Sequence, residues 1–91
     1  MSELSKTAFV AIVEDIVAGF EDPAFQAGFA AAKADNDISR MMALPAAVQT
    51  RAFAAQGLDA TAGQADFKAA GRTFATDPAV AALLTRMKAA L

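Results

Sequence analysis

The 91-residue sequence contains no histidine, cysteine, tyrosine or tryptophan. These four residue types supply most side-chain general bases near neutral pH, thiolate nucleophiles and soft metal ligands. A serine or threonine nucleophile would therefore have no histidine partner, and none of these hydroxyl residues lies in a glycine-rich elbow. We expect a protein that is not an enzyme and that holds neither a metal nor a cofactor.

Two other absences limit the class of protein. Without cysteine no disulfide can form, so the fold must depend on packing alone. No apolar run approaches the roughly 20 residues that a membrane-spanning helix requires. The opening residues Met-Ser-Glu-Leu-Ser-Lys also lack the basic region and apolar stretch of a secretory signal. We therefore expect a cytoplasmic protein with no membrane span.

Charge is unevenly distributed along the chain, although the net charge is only −2. Residues 1–37 carry seven acidic and two basic side chains, whereas residues 38–91 carry six basic and three acidic ones. Neither half is basic enough to predict a nucleic-acid partner. The division favours complementary charges on neighbouring helices over a polar surface for self-association.

One short segment has part of the pattern of a calcium-binding loop. Asp35, Asp37 and Ser39 alternate as the first three ligands of such a loop would. Arg40, however, stands where the sharp turn needs glycine, and Ala46 stands where a glutamate should close the site. The segment is therefore predicted to be a solvated turn that caps the following helix.

What the chain has in abundance is alanine, which accounts for 26 of its 91 residues. Alanine buries little area but lets helix axes approach closely. Most of the core must therefore come from 25 larger apolar side chains, among them seven phenylalanines and four methionines. The mean hydropathy of +0.35 is high for a soluble monomer.

Apolar side chains recur at helical spacing in the first segment and in the last. The first segment should form a helix that begins near Ser5 or Thr7 and ends near Gly19. Its buried stripe is Phe9, Ile12, Val13, Ile16, Val17 and Phe20. The apolar face of the last helix is Val80, Leu83, Leu84, Met87 and Leu91.

Two helices should begin at Asp-Pro pairs, Asp22-Pro23 and Asp77-Pro78. An aspartate cap satisfies free backbone N–H groups, and the ring of a proline suits the first helical position. The helix that begins at Pro23 should end in the turn at residues 35–37.

The middle of the chain contains Pro45, which disfavours helical backbone in the residue before it. We therefore predict a short helix over 38–43 and a new helix over 45–56. After it, Gly57 and Leu58 fit a Schellman ending in which Leu58 touches Phe53.

A further helix should follow, begun by a capping box at Thr61 and Gln64. Phe67, Ala70 and Phe74 would form its buried stripe. No segment shows the alternation of a β-strand. The sequence thus predicts an all-α fold, a single compact bundle of four to five short helices within one domain over 1–91.

Three functions fit these observations. The first is a non-enzymatic protein-interaction or assembly module, binding a protein partner or a second copy of itself. The second is a carrier or sensor of an apolar small molecule, held between helices in a pocket lined by Phe25, Phe29, Phe53, Phe67 or Phe74. The third is a small regulatory subunit of an enzyme, which would use Arg51, Arg72 or Arg86 to grip its partner. Methionine and phenylalanine suit deformable apolar contacts, so the candidate surface consists of Phe25, Phe29, Met41, Met42, Phe53, Phe67, Phe74 and Met87.

Overall fold

The computed structural model describes residues 4–90, which form five helices and no strand. The helices are α1 (Lys6–Glu21), α2 (Pro23–Ala34), α3 (Ile38–Ala55), α4 (Ala60–Thr73) and α5 (Pro78–Ala89). The prediction of an all-α bundle is confirmed. Leu91, which the sequence placed on the apolar face of the last helix, lies outside the described residues.

Helix α1 lies at the centre, because it contacts each of the other four helices. Its six buried side chains form two rows. Within each row the residues are four positions apart, so each row lies along one side of the helix. The row Ile12, Ile16 and Phe20 packs with residues of α3, and the row Phe9, Val13 and Val17 packs with residues of α4 and α5. One helix therefore joins two halves of the core.

The ends of α1 follow from its flanking residues. Ser5 caps the helix, its hydroxyl accepting a hydrogen bond from the backbone N–H of Ala8 at 3.1 Å. The helix continues two residues beyond the predicted end at Gly19 and stops at Glu21. Asp22, which precedes a proline, has extended backbone with ψ of 132°, so Pro23 rather than the glycine ends the helix.

Both Asp-Pro pairs begin helices as predicted. The carboxylate of Asp22 accepts from the backbone N–H of Ala24 at 2.8 Å. That of Asp77 accepts from Ala79 at 3.0 Å and from Val80 at 3.2 Å. Because each proline lacks an N–H, these carboxylates serve the backbone donors that follow.

The turn between α2 and α3 is tight. Asn36 adopts left-handed backbone with φ of 53°, a conformation that asparagine tolerates better than most residues. The N–H of Asp37 then donates to the carbonyl of Ala32 at 2.9 Å, and the Asp37 side chain caps α3 by accepting from the N–H of Arg40. The segment that resembled part of a calcium loop is thus a helix–helix turn.

The predicted break at Pro45 is wrong, since α3 runs through it without interruption. Pro45 removes the hydrogen bond that its N–H would donate to the carbonyl of Met41, which disfavours a helix by itself. Packing on α2 offsets this loss, because Leu44, the residue before the proline, lies against Gly28. Its Cδ1 is 3.8 Å from the point where a Cβ on Gly28 would be. Tertiary contact therefore outweighs the local preference.

The end of α3 is the predicted Schellman motif. Gly57 has φ of 75°, the N–H of Leu58 donates to the carbonyl of Phe53 at 3.0 Å, and that of Gly57 donates to Ala54 at 2.9 Å. Leu58 packs against the cluster that contains Phe53, as expected.

The predicted capping box of α4 is wrong. Asp59 is the cap, and its carboxylate accepts from the N–H groups of Thr61 at 2.8 Å and Ala62 at 3.1 Å. Aspartate two residues upstream is as good a cap as threonine, and it leaves Gln64 free to reach α3. The Gln64 side-chain amide donates to the Gln49 carbonyl oxygen at 2.8 Å.

Helices α1 and α5 run parallel and are tied at both ends. Lys6 pairs with Asp77 where the two helices begin. Near their other ends, the Arg86 guanidinium donates to both carboxylate oxygens of Glu21, at 2.6 and 2.9 Å. Both pairs are complementary charges on neighbouring helices, as predicted, but only Glu21–Arg86 joins an acidic residue of 1–37 to a basic residue of 38–91.

Because of these two ion pairs, the free energy of unfolding depends on pH in the acidic range. Hydrogen bonds from Arg86 lower the pKa of Glu21, and those from Lys6 and from the N–H of Val80 lower the pKa of Asp77. Below the ordinary carboxylate value of about 4 the unfolded chain therefore binds more protons than the folded one. We expect the free energy of unfolding to fall as the pH drops from about 4.5 toward about 2.

Urea unfolding across that pH range measures the effect. Glu21→Gln should flatten the pH dependence, whereas Glu14→Gln on the same helix should leave it unchanged, because Glu14 has no ion-pair partner among the described residues. Equal slopes for the two variants would contradict the assignment.

Candidate functional site

One side of α3 faces the core along the second half of the helix and is uncovered along the first half. Val48, Ala52 and Phe53 are its buried residues, and all three lie in the second half. Met42 lies eleven positions before Phe53, which places it only about 20° around the helix from that buried ring. Met42 thus lies on the same side of α3 as Phe53 but is exposed.

Ile38 and Met42 are the exposed part of this side. They lie one turn apart and are 57% and 70% exposed, the two large apolar residues identified as exposed on the described chain. Pro45, one turn further on, is half-buried. We call Ile38, Met42 and Pro45 the open face of α3.

The open face contains no charged side chain. The charged residues of α3 are Arg40 and Arg51, which lie about 160° and 180° around the helix from Met42. The positions beside Met42 are filled instead by Ser39, Ala43 and Ala46. A second apolar helix could therefore pack here without burying an unpaired charge.

A row of stacked phenylalanine rings joins α2 to α1. Phe25 stacks on Phe20 of α1 with centroids 5.1 Å apart, and Phe29 stacks on Phe25 at 5.7 Å. The ammonium group of Lys33 lies 4.8 Å from the centroid of Phe29. The row anchors α2 to α1, and the cation over its last ring adds a favourable cation–π contact.

The eight residues of the predicted surface separate into two groups. Five of them pack in or against the core: Phe53 is 1% exposed, and Phe25, Phe67, Phe74 and Met87 are partly buried against its clusters. The other three lie on the α2–α3 pair. Phe29 and Met41 are partly buried there, and only Met42 is exposed.

Ile38 was absent from the predicted surface. Its signal was present in the sequence, because it lies one turn from Met42 and both precede the same proline. The prediction is based on methionine and phenylalanine, and it therefore omits Ile38 although Ile38 and Met42 share the predicted helix over 38–43. The uninterrupted α3 is what places Ile38 and Met42 on one side with Phe53.

Open grooves flank the exposed side of α1. The larger, about 410 Å³, lies between α1 and α3, and its charged lining residues are Asp15, Asp22 and Arg51. A smaller one, about 200 Å³, separates α1 from α5 beside the Glu21–Arg86 pair. Over residues 4–90 no three acidic side chains come together in a way that could hold a metal ion.

Two other predictions concerned a membrane and an enzyme as partners. None of them is both long and apolar enough to cross a membrane. Of the arginines considered for gripping an enzyme, Arg86 is engaged by Glu21, whereas Arg51 lines the larger groove. Comparison of the chain with family models, with curated proteins and with solved structures found no significant match.

Proposed function

We propose that this chain is a small helical protein-interaction module without catalytic activity of its own, and that it docks its partner on the open face of α3. The observation that carries the proposal is the exposure of Ile38 and Met42, at 57% and 70%, on the same side of the helix as buried Phe53. Large apolar side chains grouped on one face are typical of contact surfaces.

The packing of the phenylalanines gives less support to a carrier of an apolar small molecule. The rings proposed to line such a pocket contact one another or Phe9 and Phe20, with centroids 5.1 to 5.8 Å apart. A regulatory subunit remains compatible with the open face, since it is one form of interaction module.

Photo-crosslinking in the producing cells tests the docking surface. A photoreactive amino acid at position 42 should yield a discrete adduct, because the partner covers that side chain. The same amino acid at Ala47 is the control, since Ala47 is also exposed on α3 but lies about 140° around the helix from Met42.

The adduct must then be reproduced with purified components. With the partner identified by mass spectrometry, Met42→Glu should weaken its binding at least about tenfold, and Ala47→Glu should not. Adducts of equal yield from both positions, or none from position 42, would refute the open face as a docking surface.

A further inference from the structure

We infer that α5 is a detachable helix, which leaves α1 and returns to it while α1–α4 stay folded, and that its detachment uncovers an apolar strip of α1. This inference goes beyond the proposed function and does not depend on the open face of α3. Three features of α5 support it: its single neighbouring helix, its small buried part and the exposure of its ion pairs.

Helix α5 has one neighbouring helix. Among the described helices it approaches α1 alone, whereas α2 and α4 each pack on both α1 and α3. An exposed hydrogen bond from the Gln26 side chain of α2 to the carbonyl of Ala90 is an additional tie at one end. Detachment of α5 therefore breaks one contact between helices and leaves α1–α4 joined to one another. Units of this kind open at a lower free energy than the whole domain.

Little of α5 is buried. Val80 is the one buried residue of this helix, and Leu83, Leu84 and Met87 are partly buried. Helix α1, by contrast, has six buried residues. Because the free energy of burial is roughly proportional to the apolar area removed from water, detachment of α5 costs much less than unfolding the bundle.

The strip of α1 beneath α5 is apolar. Val13 and Val17 are 0% and 3% exposed, and they belong to the cluster that contains side chains of α5. Val17 and Leu83 line the same narrow groove between the two helices. Phe9, the third member of this row, is covered by α4, since its ring centroid lies 5.1 Å from that of Phe67. Detachment of α5 should thus expose the two valines.

The ion pairs that join α5 to α1 are exposed to water. They are Lys6–Asp77 and Glu21–Arg86, and the side chains of Glu21 and Arg86 are 39% and 61% exposed. Exposed ion pairs contribute little to stability, because solvent weakens the attraction and two long side chains lose freedom. The pairs therefore fix where α5 lies on α1 without holding it there strongly.

Thiol labelling of the full chain tests the detachment, because the sequence has no cysteine of its own. Val17→Cys places a thiol under α5, and Ile16→Cys places one in the α1–α3 core, where Ile16 is 0% exposed. A maleimide reacts with each thiol only while it is uncovered. The thiol at position 17 should react at least about tenfold faster than global unfolding of the same variant allows. The thiol at position 16 should react at the rate that global unfolding sets, which urea unfolding measures.

Second substitutions distinguish detachment from unfolding of the whole bundle. Phe53→Leu weakens the α1–α3 core equally whether α5 is docked or detached, so it should speed labelling at position 16 and leave labelling at position 17 unchanged. Arg86→Gln removes an ion pair that exists only while α5 is docked, and it should speed labelling at position 17 about two- to fivefold. Glu14→Gln is the matched control, because Glu14 lines the same groove, and it should not change that rate.

Equal acceleration at both positions by Phe53→Leu would overturn the inference, since global unfolding would then uncover both thiols. A thiol at position 17 that reacts no faster than global unfolding allows would overturn it as well. Circular dichroism establishes that each variant is folded, and Val13→Cys under the same helix replaces Val17→Cys if the latter does not fold. Neither result bears on crosslinking at position 42, so this inference and the proposed function fail independently.

Discussion

Phe53→Ala is expected to lower the free energy of unfolding by about 3 to 5 kcal/mol, the usual cost of truncating a buried phenylalanine. The side chain is 1% exposed and packs in the cluster with Ile12, Ile16 and Phe20 of α1. Its ring also lies 5.6 Å from that of Phe67 on α4. Removing it would leave a cavity where three helices meet. Urea unfolding followed by circular dichroism measures the loss.

Met42→Ala is the matched control for this variant, because it truncates another large apolar residue of α3. At 70% exposure it should change the free energy of unfolding by no more than about 0.5 kcal/mol. The measurement belongs at micromolar concentration, where association does not add to the apparent stability. Similar losses for both variants would mean that α3 is rotated relative to the packing described above.

Gly63→Ala is expected to destabilise the protein even though alanine is the better helix former. A Cβ on Gly63 would lie 2.8 Å from Cγ and 2.9 Å from Cδ2 of Phe53. These distances are too short for carbon atoms in contact, and the buried ring has little room to move. Such overpacking costs about 1 to 3 kcal/mol, against a gain of up to about 1 kcal/mol in helix propensity. We expect a net loss of about 1 kcal/mol or more.

Gly71→Ala in the same helix should have the opposite sign. The nearest atom to its new Cβ is Cζ of Phe9 at 4.0 Å, so the propensity gain of about 0.5 to 1 kcal/mol is not offset by a clash. Chemical denaturation of the two variants measures the steric cost at Gly63 and the helix-propensity gain at Gly71 within the same helix. Stabilisation by both substitutions would show that α3 and α4 lie further apart than the structure places them.

A double-mutant cycle ties the Gly63 effect to one ring. In a Phe53→Leu background, Gly63→Ala should cost less than in the parent chain, because the smaller side chain leaves space for the methyl group. If Gly63→Ala costs as much in the Phe53→Leu background as in the parent chain, its destabilisation does not come from contact with the Phe53 ring.

The candidate site could be predicted only in part. Methionine and phenylalanine in a chain without catalytic residue types predict apolar contact, and of the eight residues predicted only Met42 is exposed. Phe53 and Met42 are both large apolar residues at helical spacing, however, so no local signal distinguishes the buried side chain from the exposed one. Phe53 is buried because α1 and α4 pack against its turn of α3, and Met42 is exposed.

The amino-acid sequence alone determined the helical class, the Asp-Pro starts at Asp22 and Asp77, and the Schellman end at Gly57, because capping and apolar period are local properties. The tertiary structure decided the rest. Packing against α2 carries α3 through Pro45, which local preference would have broken. The same uninterrupted helix places Met42 on one side with Phe53, and whether each of these residues is buried depends on which neighbouring helices reach that turn.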